Sequence, residues 1–191
     1  MKYIHNFSVI LLIGLLIMSC KTEMIERIDE FNLEQGGYMR TVSPFPVAAT
    51  TFSVSKANMS GTKMEFVAEA VTPNQGALFA SYDLSIRFID ATPANGTKTT
   101  TSAALRSIPA SAYAKDATTG YPRATITVTG AEALAATKLT DADILAGDRF
   151  EITAVMRLTN GRSFTASNTG LNITGGAFYS SPFFYRLNVV N

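Results

Sequence analysis

Alternation of apolar and polar side chains constrains the fold of this chain more than any other feature of its sequence. It is most regular in residues 82–88 (YDLSIRF) and 150–158 (FEITAVMRL), where every second side chain is apolar. Successive side chains of a β-strand point to opposite faces, whereas a helix has a period near 3.6. Both segments are therefore predicted to be strands with one buried face.

Further segments rich in β-branched and aromatic residues predict more strands, at residues 38–43, 51–54, 63–72, 103–108, 123–129, 162–167 and 182–190. Turn signals separate them. Asn160-Gly161 favours a tight hairpin turn, because both central residues of a type I′ turn need a positive φ. Residues 93–96 (PANG) and 120–122 (GYP) are typical of loops. Eight or nine strands with short connections predict an all-β domain.

One connection between the predicted strands is longer and helical in character. Thr129 and Glu132 have the spacing of a capping box ahead of an alanine-rich run, and residues 140–143 (TDAD) predict a second helical turn that Gly147 would end. We therefore predict a short helical crossover near residues 130–146. One such crossover among antiparallel strands favours an immunoglobulin-like or fibronectin-like antiparallel β-sandwich over residues 36–191, with a small barrel as the alternative.

The N-terminal residues have a different composition from the rest. Residues 9–18 (VILLIGLLIM) carry no polar side chain, and small Ser19 then precedes Cys20, the only cysteine. This run is about half of the ~20 residues that a transmembrane helix needs, so residues 1–19 are predicted to be a signal peptide. Residues 17–20 (IMSC) resemble the lipobox of bacterial lipoproteins. The resemblance implies that Cys20 is acylated, becomes the mature N-terminus and anchors the protein in a membrane.

Residues 20–35 are predicted to be the lipidated N-terminus and a tether. The segment is highly charged and contains neither glycine nor proline. The spacing of Ile25, Ile28 and Phe31 would also fit a short helix packed on the domain. The sequence leaves helix and flexible tether as equal alternatives.

The mature chain lacks the residues on which many kinds of catalysis depend. His5, the only histidine, lies in the signal peptide, and Cys20 is used for lipidation. A Ser-His-Asp triad, a Cys-His pair and a histidine-ligated zinc site are thereby excluded. Loss of Lys2 leaves equal numbers of basic and acidic residues, so there is no excess positive charge for a phosphate backbone. We predict no enzymatic activity, no cofactor and no nucleic-acid partner.

Three aspartates near the crossover are candidate calcium ligands. Asp141, Asp143 and Asp148 fall within eight residues, and carboxylates are the ligands that calcium prefers. Their spacing differs from that of an EF-hand. Helix capping by Asp143 and a turn at Asp148 account for them as well, so no metal site is predicted.

A second set of carboxylates lies on one predicted strand. Glu65 and Glu69 alternate with Val67 on an outer face, together with Lys63. Residues four apart in a strand are separated by roughly 13 Å, which exceeds the distance between the two carboxylates of a glycosidase. A solvated strand face is therefore predicted here rather than a catalytic pair.

The C-terminal residues 175–190 (GGAFYSSPFFYRLNVV) concentrate aromatic side chains. Alternation from Phe183 onward sends every second side chain toward the core, and core packing is the favoured role of the segment. Phe178, Tyr179 and Phe184 are the aromatic residues that would face outward. They are predicted to be the candidate contacts for a ligand, because exposed aromatic faces bind sugars.

Several segments together resemble small outer-membrane lipoproteins of the Bacteroidota, namely GGYMRTVSP, IRFIDATPANG, LRSIPASAY, GYPRATITVTGAEALAAT, LTNGRSF and GGAFYSSPFFYRLNVV. The resemblance covers nearly all of the mature chain and brings no catalytic motif with it. It implies an immunoglobulin-like sandwich, anchored by lipid at the outer membrane and expected at the cell surface, beside SusC/SusD-like nutrient uptake systems. Acidic residues after Cys20 are scattered rather than consecutive, which leaves a periplasm-facing orientation open.

These inferences predict a non-catalytic accessory of an uptake system. Its expected partners are the outer-membrane lipid, reached through Cys20, and a glycan or a SusC/SusD-like transporter. The alternative is a structural module for adhesion or assembly, which would engage another protein through an edge strand or its loops.

Overall fold

The alternating segments form strands in a computed structural model, which describes residues 36–169 and 182–191. The strands of this part of the chain are β1 (Tyr38–Ser43), β2 (Phe52–Ser55), β3 (Lys63–Val71), β4 (Phe79–Ile89), β5 (Ala103–Pro109), β6 (Ala114–Lys115), β7 (Pro122–Thr129), β8 (Arg149–Leu158), β9 (Ser163–Phe164) and β10 (Phe184–Val190). The helices are the single turn α1 (Pro73–Gly76) and α2 (Gly130–Thr137). Short 3₁₀ turns occupy Lys56–Asn58, Pro93–Asn95, Ala110–Ala112 and Asp141–Asp143.

The strands make two sheets that pack face to face, so the predicted β-sandwich is confirmed. One sheet has four strands in the order β1-β3-β7-β6. The other has six, in the order β2-β10-β8-β4-β5, with β9 paired to β8. The prediction that the sandwich is wholly antiparallel was wrong for one pair, because β2 runs parallel to β10. Pro44 and Pro46 follow β1 and lack the N–H that continued pairing needs, so the chain leaves the four-stranded sheet there and joins the other.

The strand predictions agree with the structure to within a few residues, with two exceptions. The segment predicted at residues 162–167 is paired only at Ser163–Phe164. The two-residue strand β6 was not predicted, because Ala114 and Lys115 are too few to show an alternation.

The predicted helical crossover is present and joins β7 of one sheet to β8 of the other. The side chain of Thr129 accepts a hydrogen bond of 3.1 Å from the backbone N–H of Glu132 and so caps α2. The second turn was predicted to end at Gly147, and this was wrong. It ends at Asp143. Ile144, the next residue, is extended and wholly buried, so its insertion into the core ends the turn.

Aromatic residues from both sheets meet in the core. The rings of Phe66 (β3) and Tyr185 (β10) are stacked with their centroids 4.4 Å apart, and Phe52 (β2) packs edge-on against Tyr185 at 6.1 Å. The hydroxyl of Tyr185 lies 2.8 Å from that of Thr41, which pairs the only polar atom of the ring inside the core. Burial raises the pKa of Tyr185 to about 12, so the phenol stays protonated. The buried side chains of β10 are Tyr185, Leu187 and Val189, which is the inward face that the alternation predicted.

The predicted solvated face of β3 was wrong for Glu69, whose side chain is completely buried. Arg40 (β1) and Arg123 (β7) lie directly opposite Glu69 in the sheet, and both donate hydrogen bonds to its carboxylate. The hydroxyl of Thr119 donates a further one of 2.9 Å. These partners are 29, 54 and 50 residues away in sequence, so the pattern along β3 alone could not reveal them. Glu65 is exposed, as predicted.

Replacing Glu69 by glutamine is expected to lower the free energy of unfolding by about 2–3 kcal/mol, because two arginines lose their shared carboxylate. The loss should stay below that of a fully buried pair, since both arginines are a quarter to a third exposed. Glu65→Gln on the same strand breaks only the exposed pair with Lys63 and should change stability by less than about 0.5 kcal/mol. Urea unfolding of both variants measures this difference, and equal losses would contradict a structural role for Glu69.

Candidate functional site

A groove of about 440 Å³ lies at one end of the sandwich, where β1 begins, β3 ends and β7 begins. Because the strands stop at this end, their connecting loops meet there. Among the described residues, those lining the groove are Gly36, Gly37, Tyr38, Val71, Thr72, Pro73, Tyr121, Phe164, Asn168 and Thr169. The volume falls within the roughly 300–1,000 Å³ that is typical of small-molecule sites.

Glycines let the walls of the groove approach each other closely. A Cβ on Gly76, which has a φ of +86°, would lie 2.2 Å from Cδ of Pro122. A Cβ on Gly37 would lie 2.8 Å from Cγ2 of Thr72. Larger residues at these two positions would push the β3–β4 turn away from β1 and β7, so the shape of the groove depends on them.

The loop that carries Tyr121 is held in place by Asp116. One carboxylate oxygen accepts hydrogen bonds from the backbone N–H groups of Thr118 and Thr119, at 3.1 and 2.9 Å, and the other accepts one of 2.8 Å from Arg123. The N–H of Asp116 donates to the carbonyl of Tyr121 at 2.9 Å. Hydrogen bonds from Thr119 lower the pKa of Asp116. Since Thr119 and Arg123 also bind Glu69, the loop is tied directly to that buried carboxylate.

The chemistry of the groove combines aromatic faces with polar groups. Tyr38, Tyr121 and Phe164 are half-buried, so each ring presents part of its surface to the groove. Asn168 and Thr169 add an amide and a hydroxyl. Nδ2 of Asn168 donates to the carbonyl of Ser163 at 2.9 Å and the hydroxyl of Thr169 donates to the carbonyl of Thr165 at 2.7 Å, which leaves one amide N–H and the acceptor sites of the hydroxyl for a ligand. Aromatic rings beside a few hydrogen-bonding groups suit a ligand that has both apolar and hydroxyl-bearing surfaces.

Sequence reasoning missed the residues of this groove. Tyr38, Tyr121 and Phe164 are far apart in sequence and come together only because the start of β1, the loop before β7, and β9 lie at the same end of the sandwich. The single local signal was the clustering of turn residues, GG at 36–37 and GYP at 120–122, beside aromatic side chains.

Of the four site residues predicted from sequence, Cys20, Phe178 and Tyr179 lie outside the described residues. Phe184 is described and lies half-buried on the outer face of β10, as predicted. The guanidinium carbon of Arg186 is 5.8 Å from the centre of its ring. Phe184 lines a separate cavity of about 220 Å³ together with residues 47–49, and does not line the groove.

Two of the three aspartates considered for calcium, Asp143 and Asp148, make intramolecular contacts. Asp143 caps its turn by accepting a 2.9 Å hydrogen bond from the N–H of Thr140, and hydrogen bonds from Thr140 lower its pKa to about 2. Asp148 is buried, and its carboxylate accepts hydrogen bonds of 2.7–3.0 Å from residues 91, 92 and 145. Within residues 36–169 and 182–191, no group of three His, Cys, Asp or Glu side chains could hold a metal ion.

The outer face of the six-stranded sheet carries a second buried glutamate, Glu151 on β8. Arg87 on β4 donates two hydrogen bonds to it, of 2.9 and 2.6 Å, and Arg149 donates one of 2.9 Å. Burial acts to raise the pKa of Glu151, but the hydrogen bonds from Arg87 and Arg149 outweigh it and the pKa is lowered. The charged form of Glu151 therefore stabilises the sheet.

The lowered pKa of Glu151 predicts a loss of stability in acid. The unfolded chain takes up this proton at about pH 4.3, more readily than the folded protein does. The stabilisation from Glu151 is thus complete above that pH and is lost as the pH falls below it toward the lowered pKa. The free energy of unfolding of Glu151→Gln should therefore fall less steeply between about pH 5 and pH 3 than that of the wild type.

The part of the chain that is described contains no helix long and apolar enough to cross a membrane. No protein-family model matches the chain, and a comparison with curated proteins finds no significant match. A function for this protein therefore has to be argued from the groove, the sheet faces and the chemistry of their residues.

Proposed function

We propose that this protein is a non-catalytic, lipid-anchored binding module of the outer membrane that holds a glycan in the groove at the loop end of its sandwich, as an accessory to nutrient uptake. The observation that carries the proposal is the groove itself. It joins three half-buried aromatic rings to an amide and a hydroxyl in a volume of about 440 Å³.

The composition of the groove favours a carbohydrate over a purely apolar ligand. A sugar ring has C–H faces that stack on aromatic side chains and hydroxyls that need hydrogen-bond partners. Tyr38, Tyr121 and Phe164 offer the first, and Asn168 and Thr169 offer the second. No charged side chain lines the groove among the described residues, which suits an uncharged oligosaccharide.

The strand order supports an immunoglobulin-like identity for the sandwich. When the strands other than β9 are lettered in chain order as A, A′, B, C, C′, D, E, F and G, the sheets read A-B-E-D and A′-G-F-C-C′. Immunoglobulin domains place A, B, E and D in one sheet and G, F, C and C′ in the other. In variable domains the B–C and F–G loops carry the binding residues, and Thr72 and Phe164 of the groove lie in the corresponding connections.

A lipid anchor and a transporter partner complete the proposal. The resemblance of residues 17–20 to a lipobox supports acylation of Cys20. The resemblance of the whole chain to Bacteroidota lipoproteins supports a SusC/SusD-like uptake system as the partner that receives the bound glycan. A binding module fixed at the membrane by acyl chains would raise the glycan concentration beside such a transporter.

The alternative, a structural module that recruits another protein by strand addition, receives less support from the edges of the sheets. The edge strand β5 contains Arg106 and ends at Pro109, and both residue types discourage the pairing of a further strand. At the opposite edge of the same sheet, β2 is only four residues long. Long, uncharged edges would have favoured this alternative.

Truncating an aromatic wall of the groove tests the proposed site. Tyr121→Ala and Phe164→Ala should each weaken binding to neutral oligosaccharides by about tenfold or more, because each removes a stacking surface. The wild type is first screened on an array of neutral oligosaccharides, and affinities for those retained are then measured by calorimetry. Phe45→Ala removes an aromatic ring that is 45% exposed and outside the groove, and should bind like the wild type. Retention of no neutral glycan, or equal losses in all three variants, would contradict the proposal.

Replacing the acylated cysteine tests the anchor and the partner together. Cys20→Ala should abolish incorporation of labelled palmitate and release the protein from the membrane fraction. From detergent-solubilised membranes, the wild type should co-purify with a SusC/SusD-like pair. A wild-type protein that incorporates palmitate but purifies alone would contradict the role in uptake while leaving the anchor intact.

A further inference from the structure

The outer face of the six-stranded sheet carries an excess of positive charge. Arginines project from its three central strands, and we use the name arginine face for Arg87 on β4, Arg149 and Arg157 on β8, and Arg186 on β10. Among residues 36–169 and 182–191, the carboxylates that accompany them on this face are Glu151 and Asp83. The face therefore has two more positive than negative charges, although the mature chain as a whole is balanced.

Cross-strand register places these charges in a row. Arg186 lies opposite Glu151, and Glu151 lies opposite Arg87 on the far side of β8. The two arginines are thus on strands separated by one strand, which sets their backbones roughly 10 Å apart. Arg157 extends the face along β8, where its Nε donates a 2.5 Å hydrogen bond to Asp83.

The carboxylates on the face leave much of the hydrogen-bonding capacity of the arginines unused. A guanidinium has five N–H donors in a planar fork that matches a carboxylate or sulfate group. The side chains of Arg87 and Arg157 are 51% and 57% exposed even with their partners in place. An anionic ligand would supply acceptors for the exposed N–H groups of these two arginines.

Small residues lie between the arginines and keep the face open. Ser85 on β4 and Thr153 on β8 lie opposite each other, and Thr153 lies opposite Phe184 on β10. Their short side chains allow an extended polymeric ligand to approach the sheet, and their hydroxyls can form hydrogen bonds with it. The half-buried ring of Phe184, packed beside Arg186, adds an aromatic surface of the kind that stacks on sugars.

We propose that the arginine face is a docking surface for an acidic polysaccharide, one whose sugars carry carboxylate or sulfate groups. Charge complementarity carries the argument, together with the exposed guanidinium groups of Arg87 and Arg157 and the aromatic ring next to Arg186. A second copy of the chain does not fit this surface, because two faces of like charge would repel each other. An excess of two charges would release few counterions from a phosphate backbone, so it offers little of the electrostatic term on which nucleic-acid binding depends.

This surface is separate from the groove, and neither inference depends on the other. None of the four arginines lines the groove, which lacks charged side chains among its described residues. Neutral oligosaccharides therefore test the groove, whereas acidic polysaccharides test the arginine face. The protein could fail one test and pass the other.

The test compares charged and uncharged polysaccharides on the detergent-solubilised, full-length lipoprotein. Dextran sulfate and polygalacturonate should bind and uncharged dextran should not. Binding should weaken when the salt concentration is raised from about 50 mM to about 500 mM NaCl, because salt screens exposed charges. Binding of dextran equal to that of dextran sulfate, or binding of neither acidic probe, would overturn the proposal.

The double variant Arg157→Gln, Arg186→Gln should weaken the binding of dextran sulfate and polygalacturonate by about tenfold or more, because it removes two charge-assisted contacts. Arg87 and Arg149 stay in place, so Glu151 keeps both of its partners and the sheet should remain folded. Arg186→Gln alone provides a second variant, which should weaken binding several-fold without changing the thermal midpoint. Calorimetry and thermal unfolding measure the two quantities separately.

The matched control is Lys63→Gln with Lys115→Gln, which removes the same net charge from the four-stranded sheet. It should bind within about twofold of the wild type, because these lysines lie outside the arginine face. Equal losses of affinity in both double variants would mean that the polysaccharides are attracted by net charge alone. That result would overturn the arginine face as the binding site. Tighter binding to vesicles of phosphatidylglycerol than to either acidic polysaccharide would identify an anionic membrane as the partner. That result would overturn the proposal that the ligand is a polysaccharide.

Discussion

The burial of one face of each sheet against the other is the interaction on which the rest of this structure depends. Phe66 from the four-stranded sheet stacks on Tyr185 from the six-stranded sheet, and Phe52 packs against both. Removing such aromatic surface from water supplies the main driving force for folding. With the inner faces fixed in this way, every other residue along each strand is left to face outward, and the functional surfaces are built from those residues and from the loops.

Each sheet also buries one glutamate on its outer face, and the two are held in the same manner. Glu69 receives hydrogen bonds from arginines on the strands to either side, and Glu151 receives them from one arginine on a neighbouring strand and one on its own. Breaking such a cluster leaves charged groups without partners, so it fixes which strands lie side by side. The Glu69 cluster has a further consequence, because Thr119 and Arg123 connect it to the loop that carries Tyr121 into the groove.

The two candidate binding surfaces differ because they arise from different parts of the sandwich. The groove forms where strands end, so loops supply its aromatic and polar groups. The arginine face forms on the flat side of a sheet, so cross-strand register determines its charge pattern. If the groove binds an uncharged glycan and the arginine face binds an acidic polysaccharide, the sandwich would bind two kinds of carbohydrate independently.

The sequence by itself determined the elements of this fold and the inward side of each strand. Alternation with period two located nearly every strand, including the buried side of β10, and Thr129 marked the start of the crossover helix. These features depend on neighbours a few residues apart, which a single sequence shows directly. The lipobox-like residues before Cys20 are local in the same sense.

Only the tertiary structure decided which distant residues meet. Glu69 has the spacing of a solvated residue, yet its arginine partners on β1 and β7 bury it completely. The parallel pairing of β2 with β10 and the assembly of Tyr38, Tyr121 and Phe164 around one groove likewise join residues separated by most of the chain. The order of the strands in each sheet creates these contacts. That order depends on pairing between distant segments, so no pattern of neighbouring residues in the sequence reveals it. The inward and outward faces of the strands could therefore be predicted from the sequence, whereas the sites on those faces were determined by the packing of the two sheets.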